Sequence, residues 1–538
     1  MRKILLIISL VLAAISAQAQ NAYDALLFSE RNYEGTARTV AMGNAFTALG
    51  GDLGSIGINP AGSAVAKYSQ FALTPAITMA TNTTQGVSPY ADGYLPYFEK
   101  KYRNTGTYFS IPNLGVTFNW NTGRSTGVKN VTFGFVVNRA NSWNEDVYAA
   151  GRNSTTSYMG AMAVEATELG LLGSNLNMNN AYDYDPWKYV VGYQSGMIST
   201  FGGHDSQFVG SSEIIFDRNG NTEIALGGPL DQSYGRSIRG GKNDYLINFG
   251  FNISDFLYIG ANIGITSMNY EYDEYFKETA VDPSNFVIEL QNGQTMYFEG
   301  MKYKYSYSVN TSGVYGKLGF ILTPIAGLRI GAAIQTPTAT SVNEYWQMVG
   351  ETTYTDNKFN AYASSPEGED YYRFSESLRA NFGIAYTFGK FAVISADYEV
   401  CNYGTMKFKR NGFDDGRDYF IDLNEEIKGT FGASHMLRAG VEIKPFKALA
   451  LRAGYSRATA PELIKMPATQ NASFGLGYSS DRSFFADIAC RYAFAADEYI
   501  MPYNDYMFDT EGNITDFAPE IQNRKDAWKV LLTLGWRF

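Results

Sequence analysis

The last eleven residues of the chain alternate between apolar and polar side chains, and this pattern constrains the fold most strongly. One face carries Trp528, Val530, Leu532, Leu534, Trp536 and Phe538, and the other carries Lys529, Leu531, Thr533, Gly535 and Arg537. A period of two indicates a β-strand with one wholly apolar face. Strands of outer-membrane barrels have this pattern, because their apolar face contacts lipid and their aromatic residues lie at the two interfaces. The pattern therefore predicts a transmembrane β-barrel.

The N-terminal segment has the features of a secretory signal peptide. Two basic residues precede an apolar run over residues 4–15, and residues 17–19 (Ala-Gln-Ala) provide a cleavage site of the small-x-small type. The run is too short to cross a bilayer as a helix. We therefore expect residues 1–19 to be a signal peptide and the mature chain to begin near Gln20. No Cys follows the cleavage site, which argues against a lipoprotein.

The composition supports a barrel and argues against a helical membrane protein. Mean hydropathy is -0.21, whereas the 40 Tyr, 35 Phe and 54 Gly exceed what an average soluble domain carries. The formal net charge of -10 leaves no basic surface for nucleic acid, and we attribute it to acidic loops on the outer surface. Cys401 and Cys490 fall on separate predicted strands, so we expect two free, non-catalytic thiols.

Alternation of period two predicts about fourteen strands along the chain. We place them at residues 68–79, 107–120, 130–141, 243–253, 256–275, 299–323, 326–347, 371–388, 391–409, 433–444, 449–457, 471–479, 482–496 and 524–538. On several of them the two faces can be assigned. Phe382 and Leu437 belong to faces that point to lipid, whereas their neighbours Asn381 and Arg438 belong to faces that point into the lumen.

The links between these strands alternate in length. The long links lie at residues 80–106, 142–242, 276–298, 348–370, 410–432, 458–470 and 497–523, and the links between them have two or three residues after the first strand pair. Barrels of this class have short periplasmic turns and long extracellular loops, and an even number of strands returns both ends to the periplasm. We therefore expect residues 68–538 to form an antiparallel barrel of about 14 strands, with residues 142–242 as its largest extracellular loop.

Residues 20–67 precede the first predicted strand and are rich in Gly and Ala. The lumen of a barrel is filled by side chains at about eight strands and is open to water near sixteen. A barrel of about fourteen strands would therefore leak without a plug. We expect residues 20–67 to form this plug, an N-terminal hatch inside the lumen.

Several short motifs carry a family resemblance. The run Gly35 to Ala41, the Gly-Asn-Ala that follows it, and Asn59-Pro60-Ala61-Gly62 resemble the N-terminal hatch of the FadL/TodX family of outer-membrane hydrophobic-compound transporters. Residues 134–139 (Gly-Phe-Val-Val-Asn-Arg) resemble the third strand of that family. The resemblance spans the whole expected mature chain and implies an all-β protein in the outer membrane of a Gram-negative cell.

The resemblance also implies a function and a set of partners. It implies passive uptake of hydrophobic small molecules, such as long-chain fatty acids or aromatic hydrocarbons, through a protein that is not an enzyme and needs no cofactor or metal. The ligand would be captured among extracellular loops, pass to a lumenal pocket and leave sideways beside a kinked third strand when the hatch shifts. Outer-membrane lipid and the barrel assembly machinery are the other implied partners, since the terminal Phe538 resembles an assembly signal.

By position, the resemblance assigns the hatch and the gate to Asn59, Pro60, Ala61, Gly62 and Gly134. An alternative stays open for the first four residues. Asn-Pro is a strong turn signal, and these residues can equally form only a turn into the first strand.

The longest loop contains the candidate residues for ligand capture. Asp185-Pro186 is a helix start, after which Trp187, Val190, Val191, Met197 and Ile198 fall on one face. A second amphipathic helix over residues 158–172 would present Met159, Met162, Leu169 and Leu172. Two such faces over the barrel mouth would form a hydrophobic groove, in which Met adapts to varied ligands. The alternative is that the helices pack on each other and on the rim.

Charged residues on lumenal faces allow two interpretations. Arg438, Arg452 and Arg491 are expected to point inward, together with Arg379, Glu442 and Asp487. An inward Arg suits a ligand carboxylate. The alternative is a set of lumenal ion pairs that make the barrel rigid, and Glu442 and Arg452 lie nearly opposite each other across a short turn.

Other classes of function have less support in the sequence. The chain has two His residues, His204 and His435, and neither forms a metal cluster with Cys. Nucleophilic catalysis needs three groups in a defined geometry, which sequence adjacency does not provide, and no nucleotide-binding fingerprint follows a strand. Two alternatives remain, a haem (hemin) receptor that uses one His and a FadL-like barrel that serves protein secretion or surface interaction. The length of the hatch favours small-molecule passage.

Overall fold

The computed structural model describes residues 21–87, 97–218, 221–290, 292–410, 420–464, 466–480, 483–508 and 514–538. The expected signal peptide, residues 1–19, and part of the short link at Ser480-Asp481 lie outside these residues. No helix in the described part of the chain is long and apolar enough to cross a membrane.

Fourteen wall strands form one closed antiparallel barrel, as the alternation predicts. They are β1 (Gln70–Gly86), β2 (Tyr102–Asn121), β3 (Val128–Asn153), β4 (Leu230–Ile253), β5 (Leu257–Ala280), β6 (Thr295–Ile325), β7 (Leu328–Gln335 and Ala339–Tyr354), β8 (Gly368–Ser375 and Arg379–Phe388), β9 (Ala392–Asn402 and Lys407–Arg410), β10 (Ala433–Phe446), β11 (Leu449–Ala458), β12 (Thr469–Ser479), β13 (Phe484–Ile500) and β14 (Ile521–Arg537). The sheet closes where β14 pairs with β1, with Trp536 opposite Phe71.

Three wall strands that the sequence predicts as continuous are each interrupted once. β7 breaks over residues 336–338, where Pro337 cannot donate a backbone hydrogen bond to the ladder. β8 breaks over residues 376–378, and β9 breaks at the 3₁₀ turn Tyr403–Thr405, which the Asn402 side chain caps. These breaks are corrections to the predicted strands 326–347, 371–388 and 391–409.

The two faces of the wall differ as predicted. On β10 the side chain of Leu437 is 60% exposed and that of Arg438 is 3% exposed, and on β8 the values for Phe382 and Asn381 are 51% and 0%. The exposed set forms the apolar belt that contacts lipid.

The strands β3 to β6 have 26, 24, 24 and 31 residues, far more than the 9–11 that a tilted strand needs to cross a bilayer. The outward face of β5 is apolar from Ile259 to Ile265 and polar from Asn269 onwards. The upper parts of these strands therefore rise above the membrane on the side of the long loops. Because β3 and β4 extend further than the sequence predicts, the largest loop spans residues 154–229 and not residues 142–242.

Residues 21–67, called the hatch below, run through the lumen. They contain α1 (Ala22–Ser29), α2 (Ala37–Ala41) and two 3₁₀ helices, Leu53–Gly57 and Pro60–Val65. Asn21 caps α1 in a capping box with Asp24, and Thr36 caps α2. At the mouth the ring of Tyr23 lies 5.4 Å from that of Phe431, and at the other end Lys67 forms an ion pair of 3.2 Å with Asp255 in a periplasmic turn. The hatch therefore spans the full height of the barrel.

Residues 154–229, called the loop cap below, fold over the mouth. They contain α3 (Tyr158–Glu168), α4 (Gly173–Leu176), the 3₁₀ helix Ala181–Asp183, α5 (Trp187–Gln194) and the hairpins Ile198–Phe201 with His204–Gly210 and Glu213–Arg218 with Asn221–Leu226. The remaining elements at the mouth are 3₁₀ helices Pro283–Asn285 and Asn357–Phe359, strands Val287–Glu289 and Ala361–Ser364, α6 (Ile421–Thr430), and the pair Met507–Phe508 with Ile514–Asp516. The loop cap, the upper wall strands and the link 501–520 share one hydrophobic core.

Two helix boundaries in the loop cap differ from the prediction. α3 ends at Glu168, so the expected helix over 158–172 is shorter by one turn. α5 begins after Pro186 without a side-chain cap from Asp185.

Candidate functional site

The lower lumen is filled by the hatch backbone, which packs directly against glycines of the wall. A Cβ atom on Gly260 would lie 2.3 Å from the Ala61 backbone N, and one on Gly454 would lie 2.1 Å from the Gly43 backbone N. Side chains at these positions would occupy the volume that the hatch fills. The small residues of the hatch and the wall glycines together close the floor of the barrel.

Polar groups fix the hatch to the wall at several heights. Asp397 on β9 accepts hydrogen bonds from the Thr47 backbone N (2.8 Å) and Oγ1 (2.7 Å). Arg38 donates from Nε to Glu442 at 2.9 Å. These bonds bury charged groups with partners, which is the condition for their stability in a low-dielectric interior.

The hatch also contacts the strands that close the barrel. The Ala37 backbone N donates to Thr533 Oγ1 on β14 at 2.7 Å, and Thr533 Oγ1 lies 2.8 Å from Thr74 Oγ1 on β1. One point of the hatch therefore bonds at the junction of the first and last strands.

The motif Asn59-Pro60-Ala61-Gly62 forms a turn, and it also contacts the wall. Asn59 caps the 3₁₀ helix Pro60–Val65 by accepting from Ala61 N at 3.1 Å, and it donates to Thr47 O at 2.6 Å and to Phe320 O on β6 at 3.1 Å. Asn248 on β4 donates to Pro60 O at 3.1 Å, and Gly62 packs on Ser55. The motif is thus both a turn and a hatch contact, and it lies against β4 to β7.

The wall has a gap between β2 and β3, called the seam below. Their ladder runs only from Asn121 opposite Asn130 to Asn113 opposite Asn138. Beyond it, residues 102–110 of β2 pair with β1 and residues 139–153 of β3 pair with β4, and no ladder joins β2 to β3 in the described part of the chain.

Two prolines accompany the break. Pro112 lies at the end of the ladder, and Pro75 lies in the register shift of the adjacent β1–β2 ladder between Thr74 and Ala76. Neither residue has a backbone N–H for a ladder bond. Gly134, the residue that the resemblance assigns to a kink, lies in regular pairing opposite Thr117 and Asn248, below the seam. The sequence signal for the seam is therefore the two dipeptides Thr74-Pro75 and Ile111-Pro112. Both lie inside predicted strands, so the alternation of apolar and polar residues does not reveal the break.

A short piece of the hatch occupies the lower end of the seam. The backbone N of Asn32 donates to Ala140 O at 2.7 Å, and the backbone N of Glu34 donates to Arg139 O at 2.9 Å. The buried Glu34 side chain forms ion pairs with Lys529 on β14 and with Arg491 on β13 (3.5 Å). Residues 30–34, called the hatch latch below, thus replace β2 as the neighbour of β3 at this height.

Side chains bridge the upper part of the seam. Tyr108 Oη on β2 donates to Asp146 Oδ2 on β3 at 2.6 Å, and Arg239 donates to the same carboxylate at 2.7 Å. Thr84 Oγ1 on β1 donates to Tyr148 O at 2.5 Å. Contacts of this kind open without breaking a backbone ladder.

On the other side of the hatch latch lies a lumenal cavity of about 270 Å³, called the chamber below. Its lining includes Leu26, Glu30, Arg31, Asn32, Tyr33, Asn141, Arg379, Glu399, Met436, Arg438, Ala458, Pro461, Met466, Asn471 and Arg491. The hatch latch therefore separates the chamber from the seam.

Each of the three predicted lumenal arginines contacts a carboxylate of the barrel or hatch. Arg438 pairs with Glu399, and Arg491 pairs with Glu34. Arg452 donates to Glu442 at 2.7 Å and to Asp487 at 2.5 Å, so the predicted proximity of Glu442 and Arg452 is confirmed. All three arginines therefore take part in ion pairs, the contact that the second interpretation predicts.

The loop cap does not bring its nine candidate residues into one groove. Met159, Met162, Val190, Val191, Met197 and Ile198 are at most 1% exposed, because the helices pack on each other and on the upper wall. Leu169 and Leu172 lie beyond α3 and are exposed. Trp187 is partly buried, with its ring 5.8 Å from that of Trp346 and its Nε1 donating to Tyr182 O at 2.8 Å. The packing alternative thus describes six of the nine residues.

The histidines and cysteines are dispersed. His435 lies on β10, 2.7 Å from Tyr398 Oη through its Nδ1, and His204 is exposed in a hairpin of the loop cap. Within the described residues, no group of three or more His, Cys, Asp or Glu is placed to hold a metal ion. Cys401 and Cys490 are free thiols, as expected.

Comparison with solved structures identifies the fold of the chain. No family model matches the chain, and no curated protein matches it either. Among solved structures, the toluene transporter TodX of Pseudomonas putida superposes with a TM-score of 0.50 at 12% identity, over 94% of this chain and 98% of its own. A FadL homologue of Pseudomonas aeruginosa gives a TM-score of 0.50 at 11% identity, over 94% and 99%. The chain has the FadL/TodX-type fold of outer-membrane barrels, which confirms the resemblance at the level of architecture.

Proposed function

We propose that this barrel carries out passive uptake of hydrophobic small molecules across the outer membrane and releases them sideways through the seam. One observation carries the proposal. The floor is closed by the hatch, whereas the hatch latch lies between the chamber and the gap that the described residues leave in the wall. The two solved structures of the same fold include a toluene transporter and a FadL homologue, which agrees with a hydrophobic ligand.

Sideways release suits the chemistry of an apolar ligand. Transfer of apolar surface out of water is favourable by about 25 cal/mol per Å². A ligand that enters lipid through the lower end of the seam, beside the hatch latch, keeps this free energy, whereas one that passes through the floor into the periplasm loses it.

Movement of the hatch latch would connect the chamber to the seam. The latch holds β3 through two backbone hydrogen bonds, from Asn32 and Glu34. Each such bond contributes about 0.5–1.5 kcal/mol net. Displacement of the latch breaks fewer backbone hydrogen bonds than separation of the β3–β4 ladder, although it also breaks the buried ion pairs of Arg31 with Asp244 and Glu376. The ion pairs of Glu34 with Lys529 and Arg491 hold it closed at rest.

A cross-link across the seam tests the proposal. In a background of Cys401→Ser and Cys490→Ala, Tyr108→Cys and Asp146→Cys are joined with a short bifunctional thiol reagent, since these side chains meet across the seam. Uptake of radiolabelled toluene and dodecanoate by cells is then measured with and without the reagent. We expect the cross-link to abolish uptake of both compounds.

The matched control joins Met79→Cys to Thr107→Cys, a pair that faces across the intact ladder of β1 and β2. Cross-linking there leaves the seam free and is expected to leave uptake unchanged. Full uptake through the cross-linked seam would refute sideways release.

A further inference from the structure

The mouth of the barrel is strongly asymmetric. β4, β5 and β6 have 24, 24 and 31 residues and carry the loop cap above them. β10, β11 and β12 have only 14, 10 and 11 residues. A strand of 9–11 residues just crosses the bilayer, so the wall at β10 to β12 ends near the outer surface of the membrane.

The link above this low rim carries exposed apolar side chains. Leu463, Ile464 and Met466 are 63%, 46% and 51% exposed. The link is held in place by backbone hydrogen bonds from Gly432 N to Pro461 O (2.8 Å) and from Leu463 N to Thr430 O (2.9 Å). A link at this height is close enough to the membrane surface for its apolar side chains to reach the outer leaflet.

The chamber lies directly inside the low rim. Its lining includes Met466 and Ala458 from the rim and Tyr33 and Arg438 from the hatch and wall. Tyr33 Oη, Arg438 Nη1 and Arg379 Nε are buried there and have no hydrogen-bond partner within the described residues. The two arginine nitrogens can only donate and the tyrosine hydroxyl can donate, so a group that supplies hydrogen-bond acceptors would satisfy all three. Buried donors without a partner are unfavourable, and binding such a group would relieve that cost.

We propose that the low rim is an entry portal for amphiphiles that have already partitioned into the outer leaflet. The acceptor-bearing head enters the chamber and meets Tyr33 and Arg438, while the apolar tail lies over Met466 and Ile464. This inference rests on the proposed uptake function and specifies its substrate class and entry side. An aromatic hydrocarbon has no such head and gains nothing from the three donors.

Photolabelling of the full-length protein in lipid nanodiscs tests the portal. The probes are a diazirine derivative of dodecanoate and the same derivative of dodecane, and labelled residues are located by mass spectrometry. We expect dodecanoate to label Met436 and Met466. Labelling of Leu169 and Leu172 in the loop cap instead would overturn the proposal.

Two variants separate the rim from the chamber donors. Leu463→Asp combined with Ile464→Asp places charge on the rim at two residues that do not line the chamber, and we expect it to lower dodecanoate labelling roughly tenfold. Ile421→Asp is the control, because Ile421 is similarly exposed on α6 and does not line the chamber. Unchanged labelling in the double variant would refute the portal.

Tyr33→Phe removes one unpartnered donor and keeps the ring. We expect it to weaken dodecanoate binding roughly tenfold, the effect of one hydrogen bond to a charged group, without changing dodecane binding. Equal effects on both probes would mean that the donor has no role in recognition.

The seam cross-link distinguishes failure of the portal from failure of the uptake function. If the cross-link stops uptake while the rim variant has no effect, the portal is wrong and sideways release stands. If the rim variant lowers chamber labelling while the cross-link leaves uptake unchanged, the portal stands and sideways release is wrong.

Discussion

The lower lumen and the mouth of this barrel are filled in opposite ways. In the lower lumen the hatch packs backbone against wall glycines such as Gly260 and Gly454, and polar bonds such as Asp397 with Thr47 fix its position. At the mouth the space is filled by large side chains, among them Met162 and Phe298, which are at most 1% exposed. The lower lumen is therefore sensitive to substitutions that enlarge a side chain, whereas the mouth is sensitive to substitutions that shorten one.

The two kinds of packing have different functions. Close backbone packing against the wall makes a seal, since it leaves no volume for solvent. A side-chain core at the mouth makes a stable cover but does not by itself close the lumen. We expect substitutions in the two regions to change different properties, permeability in the first and cap stability in the second.

The largest effect is expected from Gly260→Val. The new side chain would overlap the backbone of Ala61 and Pro60, from which a Cβ would be 2.3 Å away, and the hatch cannot remain seated. Single-channel conductance in planar bilayers should rise from that of a closed barrel towards that of an open one. Gly316→Val is the control, because a Cβ there approaches only Thr336 Cγ2, at 3.8 Å. An unchanged conductance for Gly260→Val would show that this contact is not part of the seal.

Met162→Ala should destabilise the mouth without opening the lumen. Met162 is 1% exposed in the core that joins the loop cap to the upper wall. Truncation of a buried Met to Ala costs about 2–5 kcal/mol. We expect faster proteolysis within residues 154–229 and the same conductance as the parent protein. Leu169→Ala, at a site 45% exposed, should change neither property. A rise in conductance for Met162→Ala would contradict the division between the two regions.

Asp397→Ala should loosen the hatch moderately. The substitution leaves the buried backbone N–H and hydroxyl of Thr47 without their acceptor, at a cost of about 1–3 kcal/mol. Amide hydrogen exchange of residues 43–50 should accelerate, while exchange in the wall strands stays the same. Asp273→Ala removes an outward carboxylate that bonds Ser306 and serves as the control. Equal exchange rates in the two variants would show that Asp397 does not anchor the hatch.

The smallest effect should be a pH dependence confined to the loop cap. Burial raises the pKa of Glu213 to about 7, and the nearby Glu278 contributes in the same direction. A carboxyl group with a raised pKa in the folded state is protonated there, so the cap is most stable below the ordinary pKa of Glu and loses stability as the pH rises to about 7.

Protease resistance of residues 154–229 at pH 5 and pH 8 measures this dependence. The parent cap should be more resistant at pH 5, and Glu213→Gln should reduce the difference. A cap that becomes more resistant as the pH rises would contradict the assignment.

The wall could be predicted from sequence because alternation is a local signal. Phe382 next to Asn381, and Leu437 next to Arg438, show which face of each strand points to lipid and which points to the lumen. The alternation of short and long links predicts the antiparallel order of the strands. The upper parts of β3 (residues 142–153) and β4 (residues 230–242) escaped prediction because both of their faces carry Tyr, Ser and charged residues above the lipid, where no apolar belt is required. The predicted strands 256–275 and 299–323 cover most of β5 and β6.

The chamber and the seam depend on contacts between distant residues. Glu34 meets Lys529 across 495 positions, and no local pattern predicts that contact. The buried position of Met159 and Met162 is likewise set by tertiary packing, because an amphipathic helix has the same sequence pattern whether its apolar face meets a ligand or a core. Pro75 and Pro112 were visible in the sequence, but each fits an edge strand or a bulge as well as a break.

The bond from Ala37 to Thr533, which itself meets Thr74, has a consequence for biogenesis. It joins the hatch to the last strand, 496 positions away, at the place where that strand meets the first. This one docking point of the hatch therefore exists only after the final strand has paired with the first. A barrel arrested before closure would lack the bond, so the hatch gains its last contact with the wall only when the barrel closes.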